Sequence, residues 1–210
     1  MKLFRGIAFS LIALMAFSSG ALAQDADNAG GSNEPSKYNG VTFTITPPKN
    51  WQIVAGSLSE KEIQKLPENL REHYSNRNNS DIIFMDIGSP DADVKGFKDS
   101  LNIVTINEPI PLTPELVKEL SNVLKQQYES MFEKFELESA EIAKLNNMEV
   151  LSVKGHYSVL NYNIRMEQVL VPSNTESLVL TCTYDTSKSK AEEVIAACRS
   201  AVESLVLHSD

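Results

Sequence analysis

The chain has 210 residues, 42% of them hydrophobic and 22% charged, and its 28 acidic against 19 basic residues give a formal charge of −9. Such acidity argues against binding nucleic acid or an anionic membrane through bulk electrostatics, and it leaves basic partners and plain solubility open.

The N-terminus carries an address. Lys2 and Arg5 precede an apolar run from Ile7 to Phe17, and Ala21-Leu22-Ala23 supplies small residues at a processing site. Residues 1–23 therefore read as a cleaved secretory signal. The apolar core is shorter than the roughly 20 residues a membrane-spanning helix needs, and Gln24-Asp25-Ala26-Asp27 follows in place of a basic flank. No cysteine stands just after the processing site to take a lipid, so no stable membrane anchor is expected and the product is periplasmic or secreted. Losing Lys2 and Arg5 moves the formal charge from −9 to −11. Residues 24–37 are Asp, Asn, Gly, Ser, Glu and Pro with almost nothing apolar, a composition that cannot offset the entropy of ordering. They are expected to form a disordered linker, and 38–210 one domain without internal repeats.

Val41 to Thr46 alternates β-branched and aromatic residues, stops at Pro47-Pro48, and is followed by Trp51-Gln52-Ile53-Val54, an opening strand pair or bent strand. Ser59 with Glu62 forms a capping box, and Pro67 divides this helical stretch into two short helices ending near Leu66 and Asn76. Asp81 to Ile87 and Leu101 to Ile106 read as strands, the first buried on both faces. Thr113 as N-cap, Pro114 at the first helical position and Glu115 at the positive end of the dipole predict a long helix to Phe135. Its apolar stripe includes Leu116, Val117, Leu120, Val123, Leu124, Tyr128, Met131, Phe132 and Phe135. Docking is expected through Leu120, Leu124, Tyr128 and Phe132.

Glu136 to Ala143, Met148 to Val159, Tyr162 to Val171 and Ser177 to Tyr184 are joined by short turns that impose antiparallel neighbours. In the third of these, Tyr162, Ile164, Met166 and Leu170 share one face, and Asn163, Arg165, Glu167 and Val169 the other. Ser189 with Glu192 caps a last helix whose Val194, Ile195, Cys198, Ala201, Val202 and Leu205 point inward. The fold class is α+β, an antiparallel sheet sandwiched by helices.

The opening Gly40-Val41-Thr42-Phe43-Thr44-Ile45-Thr46-Pro47 with Trp51, the Thr113 to Phe135 helix, the strand meander and a closing helix ending near Glu203-Ser204-Leu205 resemble the PsbP-like superfamily. That group includes PsbP, the Ran-binding Mog proteins and DcrB-like envelope proteins. The resemblance spans about Tyr38 to Leu207 and implies an α/β/α sandwich that serves as an accessory or protein-binding module. It brings no residue motif to carry over.

No catalytic or cofactor motif stands in the chain: there is no nucleophile elbow, no phosphate-cradling glycine loop and no metal-ligand spacing. His73, His156 and His208 are each alone in their neighbourhood, which suits surface or satisfied strand histidines better than a metal site. Asp91-Ala92-Asp93-Val94-Lys95-Gly96 resembles a calcium loop until Lys95 and Asn102 fill positions that need oxygen ligands, leaving a weak contact from Asp86, Asp91 and Asp93 as the alternative to a solvated loop. Cys182 and Cys198 are expected to pair, because the compartment is oxidising and both point inward. Against the bond stands the offset along strand and helix, and two buried unpaired thiols are the alternative. The expected function is a non-catalytic periplasmic accessory module that contacts an envelope protein, without nucleic acid or cofactor. The alternative is a carrier or sensor of a small apolar ligand held between sheet and helix, its cavity lined by Met131, Phe132, Phe135, Tyr162 and Ile164, residues that simple core packing would also explain.

Overall fold

The computed structural model describes residues 37–55, 82–86, 97–159 and 162–208. Along these the chain forms β1 (Tyr38–Asn39), β2 (Phe43–Ile45), β3 (Gln52–Ala55), β4 (Ile82–Met85), β5 (Ser100–Ile106), α1 (Pro114–Met131), β6 (Glu133–Leu145), β7 (Met148–Val159), β8 (Tyr162–Pro172), β9 (Ser177–Asp185), α2 (Ala191–Glu203) and β10 (Val206–Leu207). The signal, the linker up to residue 36, the short helices expected before Asn76, His73 and the Asp91–Gly96 loop lie outside the described residues.

A seven-stranded antiparallel sheet in the order β3-β4-β5-β9-β8-β7-β6 is the middle layer, and a smaller sheet, β1-β2-β10, joins the two ends of the described chain. The opening segment is thus not a strand pair. β2 belongs to the small sheet and β3 to the large one, and the chain turns between them at Pro47 to Asn50, where two prolines lack the N–H that a ladder needs and Asn50 takes φ 68°. The meander keeps its expected order. β6 and β7 are joined at Asn146-Asn147, both with positive φ, the backbone that a tight hairpin requires and asparagine tolerates.

Alternation along the strands feeds two cores. One face, with Val104, Leu151, Val153, Tyr157, Ile164, Met166, Leu170 and Val179, packs against Val117, Leu120, Leu124 and Tyr128 of α1. The opposite face, with Leu101, Ile103, Val150, Val171, Leu178, Leu180 and Cys182, packs against Cys198, Ala201 and Val202 of α2 and against Phe43 and Ile45 of the small sheet. β9, buried at all nine positions, is covered on both sides. This is the expected α/β/α sandwich.

α1 begins as its sequence specifies, with the Leu116 N–H donating to Thr113 Oγ1 at 3.2 Å and Pro114 in the first turn. Its end departs from expectation. The helix stops at Met131; Phe132 is extended (φ −124°, ψ 140°), Lys134 has φ 57°, and Phe135 is a strand residue. The register of β6 on β7 breaks twice, between Glu133 and Glu136 and between Leu137 and Ser139. Each extra residue reverses which face the strand presents, so Phe135 and Leu137 turn into the same core as Ala140. Gly155 sits where this bend presses inward. A Cβ there would lie 2.9 Å from the Glu136 carbonyl oxygen and 3.1 Å from the Phe135 ring, so any other residue would push the strands apart. The last helix also differs: its N-cap is Lys190 without a side-chain cap, and not Ser189.

Candidate functional site

Of the residues expected around an apolar cavity, Phe132, Phe135, Tyr162 and Ile164 all belong to the α1-side core; Met131 ends the helix, and its side chain lies outside the described set. Four rings form a series. Tyr157 stacks on Phe132 at 4.3 Å between centroids, Phe132 meets Tyr128 at 5.7 Å, and Tyr128 stacks on Phe135 at 4.7 Å. Tyr162 stands apart, 6.0 Å from Phe97, while Ile164 is fully buried beneath. These spacings are those of packed aromatic pairs, so the side chains fill one another's space at this end of the sandwich. The Tyr157 hydroxyl is buried without a hydrogen-bond partner, and burial, followed by the neighbouring Tyr128, pushes its pKa upward.

On the opposite face α2 is fastened twice. Cys182 of β9 and Cys198 of α2 form a disulfide with Cα atoms 6.3 Å apart. The offset that stood against the bond vanishes because β9 runs to Asp185 and α2 starts only at Ala191. Cys182 then lies about 10 Å back from the strand end, and Cys198 about 10 Å along the helix, so the two come level. The second fastening is ionic. Arg199 reaches from α2 to Glu167 of β8 with Nη2 at 2.9 Å from Oε1 and Nε at 3.2 Å from Oε2.

Beyond that pair the sheet face over β8, β7 and β6 is left to solvent by α2, and it carries a connected row of charges. Tyr184 donates to Glu167 Oε1 at 3.2 Å; Arg165 Nη2 donates to Glu138 Oε2 at 2.6 Å; His156 lies 3.2 Å from Glu138 and 3.3 Å from Glu136. Burial pushes Glu167 upward, but the Arg199 hydrogen bonds and charge, the Tyr184 hydroxyl and Lys154 outweigh it and hold the carboxyl below its ordinary range. The bulges of β6 put Glu136 and Glu138 on this face. In the sequence Arg165 and Glu167 show only as the polar face of a strand. Their partners on β6 and α2 are distant in the chain, and nothing local names them.

A separate pair closes the end of the sheet, buried Asp99 with partly exposed Lys188. Asp99 Oδ1 accepts from the Asp185 N–H and Oδ2 from Lys188 Nζ, each at 3.0 Å, and Lys188 also donates to the Phe97 carbonyl. Burial raises the Asp99 pKa despite Lys188. Asp86 is the one described residue of the three considered for calcium, and among the described residues no group of three His, Cys, Asp or Glu side chains is placed to hold a metal. His208 pins the small sheet, with Nε2 2.7 Å from Thr44 Oγ1 and Nδ1 3.1 Å from the Val41 carbonyl.

No family profile and no curated protein sequence matches the chain. Among solved structures, cyanobacterial PsbP (CyanoP) from Synechocystis is similar, with a TM-score of 0.56 over 88% of this chain and 98% of that one at 11% identity. The fold is PsbP-like. PA94 from Pseudomonas aeruginosa matches at TM-score 0.47 and 16% identity, covering 64% of this chain and 87% of that one. LpqN, a Mycobacterium tuberculosis protein involved in cell envelope biogenesis, matches at TM-score 0.43 and 16% identity, covering 80% and 83%. Within the PsbP-like frame, α2 with its disulfide and its Arg199–Glu167 pair marks the border of the open charged face.

Proposed function

We propose that this protein is a non-catalytic accessory module of the cell envelope, exported by its N-terminal signal and contacting a partner protein through the sheet face beside α2. The observation that carries the reading is the open face itself. Glu138, His156, Arg165 and Glu167 are held in place by one another and by Arg199, so a partner meets a prearranged set of charges and little side-chain entropy is lost on contact. The buried disulfide suits an oxidising compartment, and no helix among the described residues is long and apolar enough to cross a membrane. The PsbP-like fold supports an accessory role through the superfamily that the sequence resembles.

Two measurements test this. The mass of the exported protein should correspond to a chain starting at Gln24, and a mass retaining residues 1–23 would refute cleavage after Ala23. A photocrosslinker at Lys154 should capture one defined envelope protein in intact cells, with Arg165→Glu abolishing capture. Equal capture from a position on the exposed side of α1, such as Lys118, would show that the charged face is not the contact surface.

A further inference from the structure

β6 is an outer strand of the large sheet, and its two halves differ. Up to Ser139 its register on β7 breaks twice, which bends the edge and makes it unfit for pairing. From Ser139 to Leu145 the register is unbroken, opposite Met148 to Lys154. The other outer strand, β3, spans only Gln52–Ala55. Asn146 and Asn147, with φ 47° and 69°, make a two-residue turn whose flanking residues, Leu145 and Met148, exchange both backbone hydrogen bonds. Counting back in steps of two, Ala143 and Glu141 also direct N–H and C=O to β7, so Lys144, Ile142 and Ala140 direct theirs outward. Among the described residues no hydrogen bond reaches these outward groups. Ile142 is 38% exposed, the one exposed large hydrophobic residue of the large sheet among those described.

We propose that the outer edge of β6 from Ala140 to Lys144 pairs with the same edge of a second copy of this chain, antiparallel and two-fold symmetric about Ile142. A two-fold axis perpendicular to the sheet reverses strand direction and keeps like faces together, so residues that meet across it are an even number of positions apart. Centred on Ile142, the axis sets Ile142 opposite Ile142 and, on either side, Ala140 opposite Lys144. These three pairs each exchange two hydrogen bonds and leave no outward group unmet. Other centres do worse. Moving the axis to Glu141 or Lys144 brings like charges face to face, moving it to Ala143 carries Ala140 onto the Asn146 turn, and moving it to Ala140 carries Ile142 onto the bulge at Glu138. The side chains agree with the Ile142 centre: the two isoleucines cover each other, and the Lys144 stem lies over the small Ala140 of the other copy. Glu141 and Lys144 cancel, so a chain of −9 overall meets itself here without net charge. An edge alone buries little area, so association is weak, with a Kd of about 0.1 mM. The axis also joins the charged faces of the two copies on one side of a continuous sheet.

The test uses the exported protein. Sedimentation from about 10 µM to about 1 mM should show the mass moving from one chain toward two. Amide hydrogen exchange over the same range should slow at Ala140, Ile142 and Lys144, whereas Glu141 and Ala143, already bonded to β7, are slow throughout. Ile142→Pro removes an outward N–H and no bond to β7, so it should weaken association by about tenfold or more with little change in the melting curve. Ile142→Lys keeps the N–H and sets two like charges opposite each other across the axis, and it should weaken association to a similar extent. Three results overturn the proposal: a single chain at about 1 mM, a dimer in which those three amides still exchange fast, or a dimer that either folded variant leaves intact. The exchange pattern needs no variant and stands even if Ile142→Pro fails to fold.

Discussion

Replacing Tyr157 by Phe should stabilise this protein. The hydroxyl is buried without a partner, and such a group carries a desolvation cost of about 1 to 3 kcal/mol that nothing returns. The ring itself is well placed, stacked on Phe132 at 4.3 Å, and Phe keeps that contact. Removing one oxygen leaves a hole of roughly 10 Å³, which at about 24 cal/mol per Å³ costs only about 0.2 kcal/mol. The net gain is about 1 to 3 kcal/mol, or about 2 to 12 °C in melting temperature for a domain of this size. Urea unfolding should show a higher midpoint with an unchanged slope, since no additional surface is exposed in either state. A midpoint lowered by the equivalent of about 1 kcal/mol would refute the reasoning, because the hydroxyl would then have been holding a hydrogen bond worth that much.

Leu124, fully buried on the docking stripe of α1, should cost about 2 to 5 kcal/mol on truncation to Ala, and an unchanged unfolding midpoint would mean that the stripe does not bear on the sheet. Replacing Cys182 and Cys198 together by Ala opens a loop of sequence separation 16 and should cost about 3 kcal/mol, seen as a lower melting temperature that reductant no longer affects. Glu167 titrates below its ordinary value when folded, so its contribution is complete above that value and is lost as pH falls through the lowered one; Glu167→Gln should flatten the acid limb of stability against pH, measured as urea midpoints across a pH series. A parallel acid limb in the variant would show that other carboxylates set it.

Legibility in the sequence tracked the range of the interactions. The start of α1 is written within four residues, because an N-cap and a proline act on their own turn; its end is not, because the bend after Met131 packs against Gly155, a strand away. Three- and four-residue steps continue through Phe132 and Phe135 as on a helix, and only the extended backbone of Phe132 and the bulged pairing of β6 on β7 show where the helix ends. The same bulges decide that Glu136 and Glu138 share a face with His156 and Arg165. The disulfide was readable from compartment and orientation, while its alignment depended on where β9 stops and α2 begins, the boundaries that local patterns fix least well. In the sequence Asn102 is one polar residue in an apolar strand, and that its side chain is buried without a partner shows only when β4, β5, β9 and β8 stand side by side.

The strand order also governs when the fold can close. β5 has to wait for β9, which lies beyond α1 and three further strands, and β2 acquires β10 only from the last residues described. Cys198 likewise comes after every strand of the large sheet, so its bridge to Cys182 forms late. A chain emerging from its N-terminus thus cannot lock prematurely: the central pairing, the covalent clamp and the small sheet all need the C-terminal segment. Such long-range closure makes folding slow, and it would keep the polypeptide threadable during the export proposed for it.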